Sequence, residues 1–209
     1  MYEAAGKRGD TSLDDLRAII GDLDSLTPDA RAYYEKPDPL SGRTPTLVIQ
    51  DPDQDSTDFG KAVNYTRRNC RSSPSEPLDI VAAGGLGGRV DQGLAQLHHL
   101  CTFQTDPKYA AGRMYLFSGE SLSFLLKSGR HHIVVRDEKG ESVFGKHCGI
   151  VPLCASCQIT TKGLRWDVTD WETSFQTRIS TNNHILPETK VIVIETTGDV
   201  LFTAELRDT

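Results

Sequence analysis

A chain of 209 residues, 37% hydrophobic and 25% charged, suits one large or two small domains and buries roughly 70% of its unfolded surface. Its formal net charge of -6 argues against nonspecific nucleic-acid binding, which needs a basic face. No run approaches the roughly 18 apolar residues that cross a bilayer, and MYEAAGKRGD lacks an apolar signal core; Cys70, Cys101, Cys148, Cys154 and Cys157 are therefore expected as reduced thiols in a cytoplasmic protein.

Leu13, Leu16, Ile19 and Ile20 form a short helical or helix-to-strand pattern that leads into GDLDS. Thr27 followed by Pro28 predicts a helix over 28–35, with Thr27 as its N-cap. After the turn-rich KPDPLSGRTP come a strand over 46–49, the acidic loop DPDQDSTDF, and a helix through Lys61, Ala62, Val63 and Tyr65. The loop RSSPSEP precedes a second buried strand over 78–82. The glycines of AAGGLGGR then open a helix carrying Leu94, Leu97, His98 and Leu100. Strand, loop, helix, repeated, is the rhythm of a parallel sheet covered by helices, and such sheets bind ligands at the carboxyl ends of their strands. The three loops are accordingly expected on the same edge of one sheet. Past about residue 130 the pattern changes to short alternating runs (HHIVV, ITTKGLRWDV, TRIST, KVIVIET, VLFTAEL) between turn residues, the signature of an antiparallel β domain. The division expected is 1–129, with 106–129 as a junction, and 130–209.

Three loops could carry chemistry. In Gly21-Asp22-Leu23-Asp24-Ser25 two close carboxylates repel, which a hard cation such as Mg²⁺ relieves; the competing reading is an Asx turn. Asp51, Asp53, Asp55 and Asp58 crowd one loop. A calcium loop counted from Asp51 fails, because its glycine and glutamate positions hold Ser56 and Ala62. The structural alternative is a helix start near Ser56 or Thr57 capped by Asp55 or Ser56, with Asp55 or Asp58 favouring the helix dipole. In Gly84-Gly85-Leu86-Gly87-Gly88-Arg89-Val90-Asp91-Gln92 the glycines let backbone amides approach a phosphate, and Arg89 can fork onto its oxygens, although a tight turn looks similar. Acidic ligands beside such a loop suggest Mg²⁺–nucleotide chemistry.

GDLDS, DQDSTDFGKAV and GGLGGRVDQGLAQL, in this order, resemble the signature blocks of thiamine pyrophosphokinases, and CGIVPL, TTKGLRWDV and the STNN of Ser180 to Asn183 resemble that family's C-terminal half. The resemblance implies an α/β N-terminal parallel-sheet domain that binds ATP and Mg²⁺, followed by a C-terminal antiparallel β-sandwich that binds thiamine, in a homodimer with active sites between subunits. It implies pyrophosphoryl transfer from ATP to thiamine, giving thiamine diphosphate and AMP. Asp22, Asp24 and Asp58 would hold Mg²⁺; Gln54, Thr57, Gly88 and Arg89 would line the nucleotide or phosphate site. Arg89 and Asp91 would complete the catalytic set, with Asp58 or Asp91 accepting the hydroxyl proton. Trp166 would stack on the aminopyrimidine ring, with Ser180 and Asn182 as hydrogen-bonding neighbours. The family's opening strands and Ala-Asp-Gly-Gly-Ala-Asn type turn have no match in the twenty residues or so before GDLDS, so the first domain is expected to be incomplete at its N-terminus. That raises an inactive thiamine- or nucleotide-binding homologue as the alternative.

Other residues read more plainly. Cys154-x-x-Cys157 lacks a second such pair and is expected to be structural rather than zinc-binding. His98-His99 and His131-His132 are adjacent and poorly spaced to chelate. Lys162, Arg165 and Arg178 form either a solvated face or a lure for an anionic substrate.

Overall fold

The structure, a computed structural model, describes residues 16–37, 44–71, 73, 76–84 and 86–207. The chain forms two compact units, Met1–Pro74 and Ser75–Thr209. Leu13 and Gly85 lie outside the described residues, as does all of MYEAAGKRGD with the rest of the first fifteen.

Unit 1 is built on a right-sized crossover. Strand β1 (Ala18–Gly21) pairs in parallel with β2 (Leu47–Gln50), Ala18 opposite Leu47, with helix α1 (Pro28–Glu35) between them in sequence. Parallel strands need such a connection because a hairpin cannot reverse the chain twice. The helix begins where expected: Thr27 is extended, its hydroxyl accepts from Ala30 N at 3.2 Å, and Pro28 occupies the first turn, where its missing N–H costs nothing. Helix α2 (Asp58–Asn69) follows the acidic loop. Its cap is Thr57, which accepts from Gly60 N at 3.1 Å, and neither Asp55 nor Ser56. The reason is local: Ser56 Oγ donates to Asp53 Oδ2 at 2.6 Å and is committed to the loop. Ile19, Tyr34 and Val63 are buried in this unit.

Unit 2 opens with β3 (Ile80–Ala83), helix α3 (Val90–Phe103), β4 (Met114–Phe117) and β5 (Ser121–Leu126). Seven strands follow: β6 (Gly129–Val134), β7 (Phe144–Pro152), β8 (Cys157–Lys162), β9 (Trp171–Thr173), β10 (Ser180–His184), β11 (Val191–Thr196) and β12 (Val200–Leu206). They make a six-stranded sheet, β10-β7-β12-β5-β4-β3, and a four-stranded antiparallel sheet, β6-β11-β8-β9. Alternation explains the sandwich. Phe124, Leu126, Ile150, Val200, Phe202 and Ala204 face inward from the larger sheet and meet Ile133, Ile159, Ile192 and Ile194 of the smaller one. On the opposite face Met114 and Leu116 are fully buried, and α3 contributes the equally buried Leu100. An α/β region followed by a β-sandwich is thus the architecture.

One expectation fails here. The strand before the glycine loop is not in the sheet of β1 and β2: β3 pairs in parallel with β4, Ile80 opposite Met114, and β4 pairs antiparallel with β5. Strands β4 and β5 lie inside the stretch read as a junction, and their ladder draws β3 into the larger sheet.

Candidate active site

The acidic loops meet within unit 1 because residue 21 has no side chain. A Cβ on Gly21 would lie 2.8 Å from Asp58 Cγ and 2.9 Å from each carboxylate oxygen. The space is taken by the carboxylate itself: Asp22 N donates to Asp58 Oδ1 at 3.1 Å. Lys61, 5% exposed, lies 3.4 Å from the same oxygen and donates to Asp51 O at 2.9 Å, so its charge is compensated by groups from both ends of the loop. Asp51 N donates to Gly21 O at 2.8 Å and Gln50 Nε2 to Asp22 O at 3.2 Å, which fastens the two loops together.

The Asx turn weighed for the first loop is present, since Asp24 N donates to Asp22 Oδ1 at 3.1 Å. Leu23 sits at φ 66, a left-handed conformation that bulky residues adopt at a cost. In the second loop Asp53 accepts from Ser56 and from Asp55 N, and these bonds hold its carboxyl below the usual range. Gln54 is exposed, and the Thr57 hydroxyl is occupied as the α2 cap. Among the described residues no three His, Cys, Asp or Glu side chains gather to hold a metal ion on their own. Asp22 and Asp58 each turn one oxygen to a backbone amide rather than toward a common centre.

In unit 2 the glycine loop bends as the sequence requires. Gly84, Gly87 and Gly88 have φ of 75, 138 and 67, all in the region that glycine enters freely. Arg89 is the N-cap residue of α3 but makes no capping bond with its side chain. Its Nε donates to Asp91 Oδ1 at 3.1 Å, and this pairing raises the guanidinium and lowers the carboxyl relative to their ordinary values. Asp91 stands in the first turn of the helix, where a negative charge is favoured.

The sandwich separates the three residues expected at the thiamine ring. Trp166 and Ser180 line one cavity of about 280 Å³, with Ile159, Thr161 and Trp171. Asn182 lines another, of about 880 Å³, whose wall includes Leu86 and Gly87 of the glycine loop together with Gly149 and Glu205. The cause is a bulge: β10 and β7 shift register between Ser180 and Asn183, and Asn182 takes φ 57. Asn183, not singled out from the sequence, is the buried residue. Its Oδ1 accepts from Trp166 N (3.2 Å) and His184 N (2.8 Å), and its Nδ2 donates to Trp166 O (3.0 Å). Trp166 stays about half exposed (53%), tilted against His184 with centroids 4.6 Å apart. Glu205 was also missed. Its Oε2 accepts from Lys146 N and His147 N, both at 3.0 Å, which keeps its carboxyl below the usual range.

Cys154 lies nearest not to Cys157 but to Cys101, with the two sulfurs 3.7 Å apart. Lys162, Arg165 and Arg178 also divide: Arg165 sits 5.5 Å from the Trp166 ring and Arg178 4.9 Å from that of Trp171. No helix among the described residues is long and apolar enough to cross a membrane.

Comparison with known proteins addresses both parts of the chain. The family model for "Thiamin pyrophosphokinase, catalytic domain" matches residues 12–110, and that for "Thiamin pyrophosphokinase, vitamin B1 binding domain" matches 130–201. Thiamine pyrophosphokinase 3 of Oryza sativa subsp. japonica is 34% identical over 191 residues, covering 90% of this chain. Thiamine pyrophosphokinase 2 of Arabidopsis thaliana is 34% identical over 194 residues, covering 91%. The chain spans 66% of the length of each of these relatives. Among solved structures, yeast thiamin pyrophosphokinase superposes with a TM-score of 0.79 at 25% identity, over 99% of this chain and 74% of that one. The Candida albicans thiamin pyrophosphokinase gives 0.76 at 21% identity, over 91% and 72%.

Proposed function

The chain belongs to the thiamin pyrophosphokinase family, and we propose that it transfers a pyrophosphoryl group from ATP to the hydroxyl of thiamine, giving thiamine diphosphate and AMP. The observation that supports this most is the Asp58 carboxylate seated on the Gly21–Asp22 turn, which joins two acidic loops from separate parts of the chain. Transfers of this kind need alignment and charge neutralisation more than covalent help from the protein.

The donor set fits Mg²⁺. Asp22, Asp24 and Asp58 offer hard oxygens, and Oδ2 of both Asp22 and Asp58 accepts no hydrogen bond among the described residues. Mg²⁺ is commonly held by one or two carboxylates with phosphate oxygens and water completing the octahedron, so a closed protein cage is not needed. Bound there, the ion would neutralise charge on the triphosphate. Gln54 and Thr57 line the nucleotide side of the site in this reading. Arg89 exchanges its bond with Asp91 for a phosphate oxygen, beside the Gly88 amide at the start of α3. Asp58 or Asp91 accepts the thiamine hydroxyl proton. Trp166 stacks on the aminopyrimidine ring, Ser180 and Asn182 hydrogen-bond near it, and a cytoplasmic homodimer places the sites between subunits.

The test is AMP release from ATP and Mg²⁺ with and without thiamine, alongside sedimentation velocity for the dimer. Thiamine-dependent AMP that vanishes in Asp58→Asn is expected. Binding of both substrates with no AMP, or phosphate release indifferent to thiamine, would refute the assignment.

A further inference from the structure

A third cavity in unit 2, of about 600 Å³, shares no lining residue with the two described above. Its wall holds four cationic side chains from four separate stretches: Arg136 beyond β6, Lys146 in β7, Arg165 between β8 and β9, and Arg207 beyond β12. Among the described residues no carboxylate lines it, in a chain whose net charge is -6. We propose that this cavity is a binding site for a phosphorylated small molecule, held through its phosphate by Arg136, Lys146, Arg165 and Arg207.

Among the described residues the cations are only partly compensated: Glu205 interacts electrostatically with Lys146, and Glu141 lies against Arg207. Lys146 makes no side-chain hydrogen bond or ion pair among the described residues; its backbone N–H alone is used, by Glu205. Arg136 Nη1 donates to Gly140 O at 3.3 Å, while its Nε is buried and has no acceptor. A buried N–H without a partner is costly, so the Arg136 guanidinium is not fully satisfied by the protein. Among the described residues Arg207 pairs with Glu141, at 3.7 Å between two exposed side chains, an ion pair too weak to hold it against a phosphate. Burial together with Lys146, His147 and Arg165 keeps His184, also in the wall, below its ordinary range, so it stands there as a neutral ring. The remainder of the wall is apolar, with Phe144, Ile185, Leu186 and Pro187, and the volume falls in the usual range of ligand sites. Charge around an apolar wall selects an organic phosphate over a free ion.

The site is separable from the acidic loops and from Arg89, so its failure and that of the proposed reaction are distinguishable. Isothermal titration of the full chain with pyrophosphate, inorganic phosphate and AMP, without Mg²⁺ and at constant ionic strength, reads it directly. Lys146→Glu/Arg207→Glu, two exposed positions, should weaken binding of at least one of these probes tenfold or more, while the charge reversal Lys108→Glu, exposed and outside the cavity wall, leaves that binding within twofold. Tighter binding of AMP than of inorganic phosphate, lost in the double variant, supports use of the apolar wall. Equal affinities in wild type and double variant overturn the proposal, as does an equal loss in Lys108→Glu. Circular dichroism checks the fold, and Lys146→Gln alone, expected to weaken binding about threefold, replaces the double variant should that not fold.

Discussion

At the scale of single residues, Asp58 depends on an absent methyl group. Gly21→Ala puts a Cβ within 2.9 Å of the carboxylate, so either the carboxylate or the β1 turn must move. Overpacking of this kind costs about 1–3 kcal/mol. A lowered melting temperature and at least tenfold slower turnover are expected, the latter from misplacing a charge that Lys61 and Asp22 N otherwise hold. Asp58→Asn keeps the shape and removes the charge; turnover should fall about 10²–10³-fold, in the range known for lost electrostatic groups, while stability falls by about 1–3 kcal/mol as buried Lys61 loses its carboxylate. Rate loss in proportion to unfolding in both variants would reduce Asp58 to a structural part. The thiols give a second check. Burial pushes Cys148 up to about 12, and burial with the nearby Cys154 does the same for Cys101, while Cys70 and Cys154 are exposed. An aromatic disulfide reagent at pH 8 should therefore titrate Cys70 and Cys154 quickly and the others only in denaturant. Between the ordinary value of 9.0 and about 12 the folded chain retains protons that the unfolded chain has released, so stability falls as pH rises through that interval. Urea midpoints at pH 9 and 11 should decline less in Cys148→Ala than in the wild type.

At the scale of elements, what local chemistry determines was legible. Thr27-Pro28 marks α1 because a hydroxyl acceptor and a ring locked at helical φ act within one turn. The short apolar runs in KVIVIET and VLFTAEL, bounded by turn residues, became β11 and β12. Strand β7, the longest, was not read as a strand. Its half FGKH holds one apolar side chain, Phe144, beside a glycine and two polar residues, and Gly149 is there because a Cβ would come 3.2 Å from Thr203 Cγ2 and 3.3 Å from Ser180 O. Neighbours on both sides impose that strand, and they are far away in sequence. The bulge in β10 was equally hidden: strict alternation would keep Ser180 and Asn182 on one face, whereas the extra residue turns Asn183 inward. Asn183→Ala leaves the Trp166 and His184 amides without their acceptor, two partly buried donors at a cost of about 1–3 kcal/mol each. A melting temperature lower by several degrees is expected, with a KM for thiamine raised more than kcat is lowered, since the change loosens the Trp166 turn rather than the acidic loops. An unchanged KM would detach Trp166 from thiamine.

At the scale of the whole molecule, the change from βα rhythm to alternating strands announced two kinds of architecture, because the two periodicities differ and each persists over many residues. Sheet membership was not announced. Strand β3 and helix α3 fall within the stretch matched by the catalytic-domain family model, yet β3 is hydrogen-bonded into the sheet that carries half the sandwich core. A choice of partner between two parallel edges is a long-range decision that strand composition does not encode. The same organisation predicts unequal stability. Among its described residues unit 1 has a two-stranded sheet and few buried apolar side chains, whereas in unit 2 β7 and β12 lie inside a six-stranded sheet over a continuous core. Amides of β1 and β2 should exchange with deuterium at least a hundredfold faster than those of β7 and β12. Adding ATP with Mg²⁺ should then slow exchange over 18–24 and 51–60, because a ligand that binds the folded loops must be released before they open. Thiamine should act instead on the segments around Trp166 and β10. Protection by ATP that bypasses 18–24 would move the nucleotide away from the Gly21–Asp58 contact, and uniform exchange rates across both units would show that they open as one.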